Sequence, residues 1–207
     1  MRKCSILAGG EIDYNFISEE SIRKSDLIIC ADSGYLHAKK LNITPHIIVG
    51  DFDSYTEKLP ENVEIHRSPP EKDDTDTMLA VKTAIERECR EILLYGGTGG
   101  RLDHTIANIQ TMLYARKHGV EMCMDNGRDI VMIQGRGTEY YSDEGTYFSV
   151  FALTEELKVN YMRGVKYPVE NFTFTNSFPI GVSNEILQDG AELSIASGLA
   201  LIVFSEK

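Results

Sequence analysis

Three polar runs combine residue types at spacings that suit a hard cation and a phosphate chain. Gly50-Asp51-Phe52-Asp53-Ser54 follows the apolar run Ile47 to Val49, so alternate carboxylates stand at the carboxyl end of a strand. Where the chain turns, they can converge on one magnesium ion, which takes oxygen ligands and shares them with phosphates. A polar turn whose aspartates cap the next element has the same composition. Lys72-Asp73-Asp74-Thr75-Asp76 comes directly before a helical pattern. The helix dipole favours acids there, with Asp73 or Asp74 suited to the N-cap. Asp73, Asp74 and Asp76 also repel one another, and a nearby cation would relieve that repulsion. Tyr95-Gly96-Gly97-Thr98-Gly99-Gly100-Arg101-Leu102-Asp103-His104 joins an apolar strand to a helix start. Free backbone N–H groups in such a loop can face an anion, and Arg101 adds a bidentate donor. The run matches neither the P-loop nor the dinucleotide fingerprint. A tight turn with Asp103 as an ordinary first-turn acid is the competing reading.

Two weaker signals accompany these. Asp32-Ser33-Gly34 follows a second apolar run and suits either a ligand contact or the N-cap of a helix from Tyr35. Ser183-Asn184-Glu185 interrupts a late apolar run, which an edge strand would also explain. No arrangement of Ser, His and Asp suggests a hydrolase triad.

The elements that must position these residues alternate in the first half of the chain. Strand-like runs cover Cys4 to Ala8, Asp26 to Ala31, His46 to Gly50, Val63 to His66 and Glu91 to Tyr95. Helical spacing appears from Thr75 to Glu88, through Met78, Val81 and Ile85. It returns from Leu102 to Lys117, through Leu102, Ile106, Ile109 and Leu113. Such alternation predicts an α/β unit over 1–124, Rossmann-like, with a mainly parallel sheet. Loops after parallel strands open at the carboxyl edge, where ligands bind, so all three runs would meet there.

After about Asp125 the pattern becomes short strands broken by glycine turns. These are Asp129 to Gln134, Glu139 to Ser142, Tyr147 to Leu153, Asn171 to Asn176, Gly181 to Leu187 and Glu192 to Phe204. A small C-terminal β-sandwich over 125–207 is the expectation.

Composition narrows the partners. The 207 residues are 42% hydrophobic, enough for a core, and carry a net charge of −11. Non-specific binding to nucleic acid relies on positive charge neutralising phosphates, so this chain is a poor candidate for it and no nucleic-acid partner is expected. No apolar run approaches the roughly 18 residues of a membrane span. The short apolar stretch after Met1 reads as a strand rather than a signal peptide. The four cysteines, Cys4, Cys30, Cys89 and Cys123, lack C-x-x-C spacing, which fits a reduced cytoplasmic protein without structural zinc.

Taken together, Ala31-Asp32-Ser33-Gly34, G-D-F-D-S at 50–54, K-D-D-T-D at 72–76, G-G-T-G-G-R-L-D-H at 96–104 and Ser183-Asn184-Glu185 resemble the thiamine pyrophosphokinase (thiamine diphosphokinase) family. Their order and the α/β-then-β layout cover nearly the whole chain. The resemblance implies transfer of the terminal diphosphate of ATP to the hydroxyl of thiamine, giving thiamine diphosphate and AMP. It further implies Mg2+ on Asp51, Asp53 and Asp76, with Asp73 and Thr75 near the phosphates and Asp73 as acceptor or orienter for the attacking hydroxyl. Asp32, Ser33, Lys72, Gly99, Gly100, Arg101, Asp103 and His104 would contact ATP. Ser183 and Asn184 would line the thiamine pocket. A homodimer with active sites at the subunit interface is implied as well. Some animal members place a Trp by thiamine; this chain has none, so a Tyr or Phe would stack there.

Overall fold

In the computed structural model, residues 1–51, 60–67, 74–142, 146–187 and 190–206 are described. Asp53, Lys72 and Asp73 therefore lie outside the described residues. The chain divides into two compact units, Met1–Gly127 and Arg128–Lys207.

In the first unit, β1 (Lys3–Leu7), β2 (Leu27–Ala31), β3 (Ile47–Gly50) and β4 (Glu64–Arg67) run in one direction across the sheet. On the other side of β1 stand β5 (Glu91–Tyr95) and β6 (Glu121–Asp125). Every pairing in the order β6-β5-β1-β2-β3-β4 is parallel. All five residues of β2 are buried, as expected of a central parallel strand covered on both faces. Leu7, Ile28, Cys30, Ile48 and Tyr95 pack with Ile22 of α1 (Glu19–Arg23) and Ala38 of α2 (Gly34–Lys40). α3 (Asp76–Glu86) packs on β1, β2 and β3 and against α4 (Leu102–Lys117), which lies on β6. The strand order reverses at β1, between β2 and β5. Such a switch point leaves a crevice between loops that diverge to opposite sides of the sheet.

Two local expectations need correction. The N-cap of α3 is Thr75, whose Oγ1 accepts from the Met78 N–H at 3.1 Å, rather than Asp73 or Asp74. Asp74 instead accepts from Lys82 Nζ at 2.6 Å. In α4 the apolar stripe does not form the buried face: Leu102 and Ile106 are 73% and 52% exposed. The face turned inward carries Asn108, Thr111, Met112 and Ala115. These recur at the same helical spacing, rotated from the stripe, because this face must meet the glycine loop below it as well as the sheet.

The second unit contains no helix among its described residues. One antiparallel sheet runs β12 (Asn184–Glu185), β9 (Tyr147–Ala152), β14 (Ala200–Ser205) and β7 (Asp129–Gln134). The other runs β11 (Val169–Thr175), β10 (Glu156–Arg163), β13 (Ala191–Ser197) and β8 (Gly137–Tyr141). Phe148, Val150 and Ile202 from the first meet Leu157, Val159, Phe174 and Leu193 from the second in one core, as in a sandwich.

Sequence reading passed over β6 and β10. β10 alternates apolar and polar up to Asn160, but its pairing with β13 shifts register between Lys158 and Tyr161, which breaks the period. The run Glu192 to Phe204 is two strands in different sheets. Gly198 separates them at φ +92°, and a Cβ there would sit 2.5 Å from the Glu156 carbonyl oxygen. The strand expected over Gly181 to Leu187 reduces to Asn184–Glu185, with Ile186 bridged to Val165.

Candidate active site

A cleft of about 340 Å³ opens at the switch point of the first unit. Its floor is the loop after β1, Ala8, Gly9 and Gly10, tied to the loop after β5 through Ala8 N–H to Tyr95 O at 2.8 Å and Gly10 N–H to Gly96 O at 2.9 Å. This approach is possible only because Gly96 has no side chain. It sits at φ +68°, and a Cβ there would lie 2.6 Å from the Ala8 carbonyl oxygen.

Around that floor the cleft collects Asp32, Ser33, Thr75, Asp76, Gly99, Gly100, Arg101 and His104. These eight come from three segments far apart in sequence. Asp32 holds a left-handed backbone at φ +47°, which aspartate tolerates better than most residues. Its N–H donates to Val49 O at 2.7 Å, fastening the loop after β2 to the end of β3. Ser33 precedes α2 as its cap residue and makes no side-chain capping bond of its own.

Arg101 and Asp103 form an exposed pair. Arg101 donates Nε–H to Asp103 Oδ1 at 3.1 Å and a terminal N–H to Oδ2 at 2.5 Å. That guanidinium holds the Asp103 carboxyl below the usual carboxylate range. Asp103 also accepts the His104 N–H at 3.0 Å, so its carboxylate both aims Arg101 and takes up one free N–H in the first turn of α4. Asp103 and Asp51 are not among the described residues lining the cleft. Asp51 directly follows β3, the strand beside β2, which ends one residue before Asp32.

Oxygen is the donor common to Asp32, Ser33, Thr75 and Asp76, a set suited to a hard cation such as magnesium rather than zinc. Among the described residues no group of three or more His, Cys, Asp or Glu side chains is placed to hold a metal. Asp53, the third expected ligand, stands outside them.

Sequence reasoning missed Gly9, Gly10 and Asn108. Two glycines directly after the first strand of an α/β unit were a usable signal for the floor. Asn108, 5% exposed, donates Nδ2–H to Gly97 O at 2.7 Å and anchors the glycine loop to α4. A polar residue four positions after His104, inside a helix, was its trace.

In the second unit, Ser183 is exposed and left-handed at φ +55°, its N–H bonded to Ser149 Oγ at 3.0 Å. Asn184 is buried. Its Oδ1 accepts from the Tyr167 N–H at 2.9 Å and the Glu185 N–H at 3.0 Å, and its Nδ2 donates to Tyr167 O at 3.0 Å. That carboxamide is taken up by backbone, while Tyr167, whose backbone it holds, is exposed.

Comparison with known proteins finds one family pattern within each unit. The pattern described as "Thiamin pyrophosphokinase, catalytic domain" matches residues 18–124, and "Thiamin pyrophosphokinase, vitamin B1 binding domain" matches residues 137–200. The chain is 30% identical to the thiamine pyrophosphokinase of Bacillus subtilis (strain 168) over 99% of both chains. Among solved structures, the thiamine pyrophosphokinase from Bacillus subtilis superposes with a TM-score of 0.86 at 26% identity, covering 99% of each chain. The family protein from Enterococcus faecalis gives 0.85 at 27% identity over the whole of both. The Candida albicans enzyme, at 16% identity and a TM-score of 0.81 over 99% of this chain and 89% of that one, shares the fold.

Proposed function

The chain belongs to the thiamine pyrophosphokinase family, and from that premise we propose how it acts as a thiamine diphosphokinase. The enzyme moves the terminal diphosphate of ATP onto the hydroxyl of thiamine. The oxygen attacks the β-phosphorus, the bond from that phosphorus to the AMP oxygen breaks, and thiamine diphosphate and AMP leave. The observation that carries the reading is the cleft itself, where glycine-loop backbone, Arg101 and the Asp32 and Asp76 carboxylates surround one space at a switch point.

Phosphoryl-type transfer needs positioning and charge neutralisation more than covalent help. In this reading the Gly99-Gly100 backbone and Arg101 cradle the phosphates, and Asp103 keeps the guanidinium aimed. Ser33, Thr75 and His104 complete the nucleotide contacts, with Lys72 assigned by family resemblance. Asp51, Asp53 and Asp76 would hold Mg2+, which would supply positive charge to offset that of the phosphates. Asp73 orients the thiamine hydroxyl, again by resemblance. Ser183 meets thiamine, and Asn184 shapes that pocket by holding Tyr167. The protein works as a cytoplasmic homodimer with active sites at the subunit interface. Its four cysteines are free, and no described helix is long and apolar enough to cross a membrane.

A product assay with ATP, magnesium and thiamine, resolving AMP from ADP, tests the reading. Thiamine-dependent AMP matched by thiamine diphosphate is expected. ADP would indicate single phosphoryl transfer and overturn the mechanism.

A further inference from the structure

We infer that His37 is a positioning residue for the nucleotide cleft: it pins the Gly10 carbonyl of the cleft floor, and Tyr14 fixes the tautomer in which it does so. The inference rests on the nucleotide reading of the cleft given above.

His37 lies in α2 and does not line the cleft. Its Nε2 stands 2.9 Å from Gly10 O, and its Nδ1 stands 2.5 Å from the Tyr14 hydroxyl. A carbonyl oxygen can only accept, so Nε2 must carry the proton. In the neutral ring Nδ1 is then the acceptor and the phenol donates. Burial, followed by the charge of Lys40, holds the His37 pKa below its ordinary value and keeps the ring neutral near pH 7. Lys40 Nζ also sits 3.8 Å above the Tyr14 ring, a cation–π contact that steadies the phenol.

Gly10 has no side chain to hold it, and glycine backbone ranges more widely than any other. Its N–H is tied to Gly96 O and its carbonyl to His37, so both of its polar groups are engaged. The series Lys40, Tyr14, His37, Gly10, Gly96 thus links α2 to the glycine loop through the cleft floor. The other end of α2 reaches the same cleft at Ser33. Loss of the His37 bond frees the floor, and the ordering that the bond had maintained must then be supplied when nucleotide binds.

Kinetics of AMP formation by the intact protein, varying ATP and thiamine separately, test this with His37→Asn and His37→Gln. Glutamine carries its amide to about where Nε2 stands, whereas asparagine reaches only to Nδ1. The Asn variant should raise the KM for ATP about 5- to 10-fold, the worth of one hydrogen bond, with kcat and the KM for thiamine changed less than about twofold. The Gln variant should return the KM for ATP to within about twofold of the unmodified chain. Equal KM values for ATP in the two variants, or a rise confined to thiamine, would overturn the inference. If the Asn variant does not fold, Tyr14→Phe carries the test: a rise of about 2- to 4-fold in the KM for ATP supports it, and no change overturns it. Calorimetric binding of Mg-ATP repeats the comparison without turnover. An unmodified chain that makes no thiamine-dependent AMP would therefore sink the function, while the Kd ratios would still decide the role of His37.

Discussion

The loops of the first unit and the Ser183-Asn184 corner of the second use similar polar residues in opposite ways. At the switch point, Asp32, Ser33, Thr75 and Asp76 reach the cleft, and the scaffolding is left mostly to backbone bonds such as Gly10 N–H to Gly96 O. At the corner, the Asn184 carboxamide turns inward and satisfies the backbone of Tyr167 and Glu185, and Ser183 alone of the two is exposed. Parallel strands leave their loops at one edge with backbone already paired inside the sheet, so side chains there are available for ligands. A two-residue strand such as β12 has few ladder bonds, so a side chain must serve as structure. Membership in a motif therefore does not decide whether a polar residue meets substrate or holds the chain.

The comparison breaks most clearly at Asp76. Asp76→Ala should lower turnover by at least about 10²- to 10³-fold, the scale of removing one electrostatic contact to a transition state. The thermal midpoint should change little, because the α3 cap is supplied by Thr75. AMP release and a melting curve on the same sample check both halves; loss of folding would make Asp76 structural.

Asn184→Ala should do the reverse, costing about 1–3 kcal/mol of stability by leaving partly buried backbone groups at Tyr167 without their partner. Denaturant unfolding measures this. Unchanged stability with a large loss of thiamine affinity would move Asn184 to the ligand side of the comparison. Ser183→Ala should raise the KM for thiamine about 3- to 10-fold and leave the KM for ATP unchanged. An effect confined to ATP would contradict the division of labour between the units.

The smallest effect concerns acidity. His37 has a folded-state pKa lowered by burial and then by Lys40, with Gly10 opposing, so the unfolded chain binds its proton first as pH falls. Its contribution is present above the ordinary histidine pKa of about 6.5 and is lost as pH drops through that value towards the folded one. Tyr14, the other titratable group on the ring, has its pKa raised by burial and does not titrate in this window. The unfolding midpoint should therefore decline modestly from pH 7.5 to 5.5, and His37→Gln should flatten that decline. Identical slopes would remove His37 from the account.

Much of the site was legible because its chemistry is local. A glycine run before an Arg and an acid at a helix start are short-range features that mark their loops by composition, whereas Asp51, after Val49, is not among the described residues that line the cleft. The alternation of apolar runs carried the α/β class for a similar reason, since burial on both faces imposes continuous apolar strands such as β2. The residues that read poorly act at long range. Asn108 reads as a polar residue in a helix until the fold brings it under Gly97, and His37 reads as a helical histidine until α2 lies beside Gly10. The Leu102-Ile106 stripe misled because periodicity gives the spacing of a face and not the direction in which it turns.

Residue order by itself determined which loops hold oxygen donors, which hold glycine, and where parallel strands give way to antiparallel ones. Each of those follows from backbone preference and apolar period over a few neighbouring residues. Tertiary structure decided which donors face the cleft, which are absorbed as braces, and which distant side chains fasten the floor. Those outcomes depend on strand order, on the reversal at β1 and on contacts between residues far apart in the chain, which no local pattern encodes.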